Sequence, residues 1–213
     1  MHPHKNVLSD VMFEPFPLGS VRPEGWLRRQ LRIQADGISG HLDEFWPDVK
    51  DSRWFGGDAE AWERAPYWLD GVVPLAYLLD DEALKAKVAR YLDYIIAHQA
   101  EDGWLGPRTM IAAAGQEEQP SYDLWGQILA LKMLVQYHDA TGDDRARRAV
   151  AKNLRCLDRY IDRSPLFNWG QFRWYETLIP IWWLYEKTAD DWLIDLAVKL
   201  HAQGFDWGAF FER

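Results

Sequence analysis

The sequence predicts an all-α fold, an incomplete α/α toroid built of helical hairpins. Two observations predict it. The first is a plan that repeats along the chain: inner helix, acidic turn, outer helix, aromatic loop. Asp-Asp turns recur at 80/81, 143/144 and 190/191, and Trp-bearing loops recur at 104, 169 and 207. Their unequal spacing rules out a strict short-period solenoid but suits an irregular ring of hairpins. The second is that no stretch reads as a strand, and no Gly-rich phosphate or nucleotide fingerprint is present.

Taken in order, residues 1–22 read as an extended arm, broken by Pro15, Pro17 and Gly19. Pro23 suits the first turn of a helix. The run 25–45 follows, with Trp26, Leu27, Leu31, Ile38 and Leu42 at helical spacing and Arg28, Arg29 and Arg32 on a solvated face. Residues 46–61 form a loop around Pro47 and Gly56-Gly57, with Trp46 and Trp54 inside it. A loop of this length in a compact domain is often functional.

The first hairpin has an inner helix over 65–79, apolar nearly all round and therefore buried, with Pro74 set to bend it. Asp80-Asp81 sit where an N-cap and a first-turn acid belong. The outer helix, 82–99, shows a single apolar stripe: Leu84, Val88, Leu92, Ile95. A loop over 107–121 leads to the second hairpin, an inner helix near 122–140 and an outer helix near 144–162, with Gly142 as the stop between them. The third has an inner helix near 173–187, with Pro180 inside it, and an outer helix near 191–203.

Composition narrows the function. The net charge is −9 across 213 residues, which argues against nucleic acid and anionic membranes as partners. No apolar run approaches the ~20 residues of a membrane span, and no apolar signal core opens the chain, so a cytoplasmic setting is expected. Cys156 is the single cysteine, which excludes an internal disulfide framework and a cysteine zinc cluster within this chain. Tryptophan is in excess at 13 residues, more than a core needs. Indole stacks on flat C–H faces while its N–H finds a polar partner, and sugar rings offer such faces.

Antiparallel hairpins put the Asp-Asp turns at one end and the aromatic loops at the other. The inner helices start at that second end, where three clusters fall together: Glu63/Arg64/Tyr67/Trp68/Asp70, Tyr122/Asp123/Trp125 and Arg173/Trp174/Tyr175/Glu176. Each mixes carboxylate with aromatic. Taken singly, Asp123 and Glu176 suit helix-start acids, Asp70 a cap near Pro74, and Glu63 with Arg64 a surface pair. Taken together, they predict a carbohydrate cleft lined by Glu63, Arg64, Tyr67, Trp68, Asp70, Tyr122, Asp123, Trp174 and Glu176, with some of Trp54, Trp104 and Trp169. Asp70, Asp123 and Glu176 are the catalytic candidates, with no acid or nucleophile assigned among them and no metal ligand in the set.

The segments GWLRRQL, WERAPYWLDGVVPLAYLL, HQAEDGWLGP, YDLWGQILALKMLVQYHDATGD and LYEKTADDWLIDLA resemble the N-terminal half of the β-L-arabinofuranosidase-like proteins of glycoside hydrolase family 127. The resemblance covers most of residues 18–210. It implies an (α/α)6 barrel and hydrolysis of terminal pentofuranosyl or related sugars of plant-type glycans. It also implies, for a full-length relative, a cysteine nucleophile beside a cysteine/glutamate-bound zinc. Cys156 lies on an outer helix and carries over as none of these, so no cofactor is expected of this chain. Family members often place His-Glu at Tyr122-Asp123 and a His near Trp174, so this chain resembles a divergent branch.

Residues 23–213 are therefore read as an N-terminal portion of a catalytic domain, inactive alone. Its expected partner is the missing C-terminal half or a second copy, and Trp182, Trp183, Trp192, Phe205 and Phe211 are the expected exposed apolar residues. The alternative is a non-catalytic carbohydrate-binding or protein-interaction scaffold. A polysaccharide lyase or sugar epimerase on the same fold ranks lower, because His98, His138 and His201 lie away from the mouth.

Overall fold

A computed structural model describes residues 15–108 and 121–212. Most of the arm expected over 1–22, and most of the loop expected over 107–121, lie outside the described residues. Residues 17–20 of the arm form a turn in which the Ser20 N–H donates to the Pro17 carbonyl.

Helix α1 (Gly25–Asp36) and helix α2 (Ile38–Phe45) replace the single run expected there. They separate at Gly37, where a Cβ would lie 2.7 Å from the Ile33 carbonyl oxygen. Pro23 precedes α1 instead of entering its first turn. The following connection contains a one-turn α3 (Pro47–Lys50) and a 3-10 turn (Arg53–Phe55). Trp54 in that turn is buried. Its Nε1–H donates to the Trp62 carbonyl at 3.2 Å, and Gly106 and Gly126 close on its ring.

Three hairpins follow: α4 (Arg64–Leu79) with α5 (Glu82–Ala97), α6 (Trp125–Thr141) with α7 (Asp144–Ile161), and α9 (Leu178–Thr188) with α10 (Trp192–Gln203). Short helices α8 (Asn168–Phe172) and α11 (Trp207–Phe211) precede and follow the last. Inner helix α4 packs on α6 and α6 on α9, while outer α5 packs on α7. Helix α6 is buried on almost every face, as an apolar inner helix between two neighbours must be. Outer helix α7 instead buries one stripe through Ala146, Val150, Leu154, Leu157 and Ile161. Helices α1 and α2 also pack on α4, the first of the inner helices. Among the described residues no strand is present and no helix is long and apolar enough to cross a membrane.

The acidic turns are built three ways. Asp80 adopts the left-handed conformation that ends α4, and Asp81 Oδ1 accepts the Leu84 N–H at 3.0 Å to cap α5. Asp143 caps α7 through the Arg145 N–H at 2.9 Å, with Asp144 in the first turn. Asp191 makes no side-chain cap, because its own backbone is already helical. Pro74 lies within α4, which runs continuously past it. Pro180 falls in the first turn of α9, where its missing N–H would have had no helical partner. The inner helix expected over 173–187 is divided into a 3-10 turn (Trp174–Thr177) and α9.

Of the apolar residues expected at the surface, Phe211 is exposed, Trp182, Trp192 and Phe205 are half-buried, and Trp183 is buried. Trp183 donates its indole N–H to Asp139 at 2.7 Å, and Trp192 is covered by the Arg155 guanidinium at 3.5 Å. Trp26, Ile33 and Ile38, on α1 and α2, are also exposed.

Candidate functional site

The start of α4 is fixed by Glu60. Its carboxylate accepts the N–H groups of Trp62 at 2.9 Å, Glu63 at 2.8 Å and Arg64 at 3.2 Å. Those donors have no helical partner at an N-terminus, and an anion there also complements the helix dipole. Glu63, Arg64 and Tyr67 are thereby held at the mouth. Glu63 Oε2 accepts the Trp125 indole N–H at 2.9 Å, which ties α4 to the first residue of α6. The Tyr67 ring meets the Trp125 ring edge-on at 5.7 Å. Burial pushes the Tyr67 hydroxyl pKa up, so it stays a neutral donor.

The third wall comes from the segment before α9. Arg173 lies 4.6 Å from the centre of the Trp125 ring and donates from Nε to Glu176 at 2.6 Å. Burial works against the Arg173 charge, but the Glu176 hydrogen bond and charge outweigh it, and the pKa ends above its ordinary value. Trp169, on α8, is 45% exposed. Together Glu63, Arg64, Tyr67, Trp125, Trp169 and Arg173 line a cleft of about 440 Å³.

Asp123 sits behind this wall. It is buried, and it accepts the N–H groups of Trp125 at 3.1 Å, Trp169 at 3.3 Å and Gly170 at 2.7 Å. A Cβ on Gly170 would come within 2.9 Å of its Oδ1, so the approach needs glycine. Burial raises the Asp123 pKa, against the lowering effect of these donors. The carboxylate thus links the first residue of α6 to the backbone of Trp169, two residues that line the cleft.

Glu63, Arg64 and Tyr67 line the cleft, and Glu176 reaches it through Arg173. Trp68 turns away, buried, with its indole N–H on the Ser39 carbonyl at 2.8 Å. Asp70 is farther down α4, about 10 Å along the axis from Glu63 at 1.5 Å per residue. Lys132 at 3.0 Å and Gln136 at 2.7 Å, both on α6, occupy its two oxygens. Tyr122 packs against Trp104 and Tyr160. Trp174 donates to the Phe205 carbonyl at 3.2 Å and is closed over by Gly204, so it serves the packing of the last loop. Trp54 and Trp104 are core residues, and of the loop indoles Trp169 reaches the cleft. Trp125 and Arg173 belong to the sequence clusters but not to the residues named from them. Glu60 was signalled only by its position three residues before Glu63, the N-cap of α4.

A family model described as β-L-arabinofuranosidase, GH127 catalytic domain, matches residues 21–207. The chain belongs to this family. No curated protein matches it. The GH127 match spans all three hairpins and every residue of the cleft. For a zinc ion of the kind implied for GH127 relatives, the described residues do not fit. Among them no group of three His, Cys, Asp or Glu side chains could hold a metal. Cys156 is buried on α7, with its Cβ 3.0 Å from where a Cβ on Gly103 would lie, and burial raises its thiol pKa. That environment favours an inert thiol over a thiolate ligand.

Proposed function

We propose that this chain forms the sugar-binding wall of a glycoside hydrolase that acts on terminal pentofuranosyl or related sugar residues of plant-type glycans. The observation that carries the reading is the cleft: an exposed Trp169 indole, with Tyr67, Trp125, Glu63, Arg64 and Arg173 converging from three elements. The exposed Trp169 indole and Tyr67 phenol offer faces that suit the C–H face of a furanose ring. Guanidinium and carboxylate suit its hydroxyls, since charged partners make the stronger hydrogen bonds. Glycoside hydrolysis needs a proton donor at the leaving oxygen and a second group as base or nucleophile. Glu63 and Glu176 are engaged by Trp125 and Arg173, and Asp123 is sealed behind the wall, so their part here is binding and positioning.

Those engaged carboxylates also favour a second reading, a carbohydrate-binding scaffold without catalysis. One experiment separates the two. The chain is titrated with methyl β-L-arabinofuranoside and with a methyl arabinopyranoside, and separately assayed for release of 4-nitrophenol from the matching aryl furanoside. Furanoside-selective binding with hydrolysis supports the hydrolase reading. Binding without hydrolysis supports the scaffold. No binding of either sugar removes both.

A further inference from the structure

Outer helix α7 is basic in an acidic protein. From Asp143 to Arg163 there are seven basic residues and four acidic ones, while the whole chain carries −9. The carboxylates beside the helix are engaged: Asp144 with Arg147, Asp158 and Asp162 with Lys199 of α10, and Asp102 with Arg108. Four cations are left over. Lys152, Arg155 and Arg159 follow at three- and four-residue steps, which places them on one exposed face of α7, and Arg163 stands just past the helix end. Among the described residues none of these four forms an ion pair. Three of them are nevertheless held in place. Lys152 Nζ donates to the Ala100 carbonyl at 2.9 Å, Arg159 Nη2 donates to the Asp102 carbonyl at 2.9 Å, and the Arg155 guanidinium lies over the Trp192 ring at 3.5 Å. A carbonyl or an indole orients a cation without cancelling its charge, and leaves further N–H donors free. Side chains held this way have already given up part of the rotamer freedom that binding would cost. The row is a set of oriented, uncancelled charges, about one per helical turn of roughly 5.4 Å.

We propose that this outer face of α7 binds a polyuronate, a polysaccharide with one carboxylate on each ring. Guanidinium pairs with carboxylate through two parallel hydrogen bonds, so a row of arginines suits a row of carboxylates. Charge density favours a polyuronate over nucleic acid. Duplex DNA carries one negative charge per about 1.7 Å of its axis, far denser than one cation per turn. Asp144, Asp158 and Asp162, on and just past the same helix, would also repel so dense a polyanion. The face lies on an outer helix and shares no residue with the cleft, so it holds an acidic stretch of glycan whether or not the cleft takes a pentofuranoside.

The test is calorimetric titration of the full chain with a galacturonate oligomer, with the methyl ester of the same oligomer, and with a DNA duplex. The acid oligomer is expected to bind, more weakly as salt is raised, and the uncharged ester and the duplex to bind at least about tenfold less tightly. Lys152→Gln combined with Arg163→Gln should weaken the acid oligomer about tenfold or more, the scale of a lost charge-assisted hydrogen bond. Arg163→Gln alone removes no side-chain hydrogen bond or ion pair among the described residues, and should give part of that loss with the thermal midpoint unchanged. Arg28→Gln combined with Arg29→Gln, an equal loss of charge on exposed α1, should leave the affinity nearly unchanged, and so should Trp169→Ala in the cleft. Absence of binding, equal binding of the ester, tighter binding of the duplex, or an equal loss in the α1 pair overturns the proposal. A loss on Trp169→Ala that matches the loss on α7 also overturns it, by moving the oligomer to the cleft.

Discussion

Asp123 and Glu63 show how one residue type takes different work from its surroundings. Both stand near helix starts, and both were legible as carboxylates beside aromatics. Asp123 is enclosed and spends its oxygens on three backbone N–H groups, while Glu63 keeps an edge on the cleft. Asp123→Ala would leave those donors buried and unpaired, and is expected to cost about 2–4 kcal/mol in urea denaturation. Asp123→Asn, which keeps an acceptor oxygen, should cost less. The pH dependence has a definite sign. Burial raises this carboxyl's folded pKa above its unfolded value, so the folded state takes up the proton first. Its contribution to stability is therefore fully present below the unfolded pKa, about 3.9, and is lost as pH rises through the folded pKa, and Asp123→Asn should remove that component. The tryptophans make the same point. Trp54 and Trp169 both occupy aromatic loops, yet Gly106 and Gly126 press on the Trp54 ring and nothing comparable covers Trp169. Those contacts join residues far apart in sequence, which is why composition and spacing did not separate the buried indole from the exposed one.

The helices were legible because their causes are local. An apolar inner stretch, an acid at the start and a left-handed residue at the end can be read from neighbouring letters. The hairpins at 64–97 and 125–161 follow them closely. The third does not, because Asp191 is already helical and the run from Trp174 forms a 3-10 turn before α9. This difference carries an expectation. Asp81 and Asp143 both have lowered pKa values, Asp81 first through the Leu84 N–H and Asp143 first through Arg145. A lowered folded pKa means stability present above the unfolded value, about 3.9, and lost as pH falls through the folded one. Asp81→Ala or Asp143→Ala should each cost about 1 kcal/mol at pH 7. Each should also flatten the loss of stability below about pH 4, in thermal melts across an acid series. Asp191→Ala should do neither, since Asp191 makes no side-chain cap.

At the scale of the molecule, the ring-like order of hairpins decides where chemistry can gather. Inner helices pack side by side and start at the same end, so Glu63, Trp125 and Arg173 meet although they lie far apart in the chain. The sequence pattern was enough to place three clusters at that end. It did not say which side chain of each cluster faces inward, because helix rotation is set by packing between helices and not by the spacing within one. Hence Asp70 lies deeper on α4, held by Lys132 and Gln136, and Trp174 turns to the last loop.

The proposed sugar-binding cleft is made from α4, α6 and the segment before α9. The measurement that tests it most directly is the two-dimensional ¹H–¹⁵N spectrum of the indole N–H groups of the 13 tryptophans during titration with methyl β-L-arabinofuranoside. The signal of the exposed Trp169 and that of Trp125, which is 1% exposed but held by Glu63 at the cleft, both assigned by Trp→Phe substitution, are expected to shift together and saturate with a single affinity, while the indoles of Trp54 and Trp183, which do not line the cleft, stay still. Shifts confined to indoles outside the cleft, or no saturable shift at Trp125 and Trp169, would contradict it.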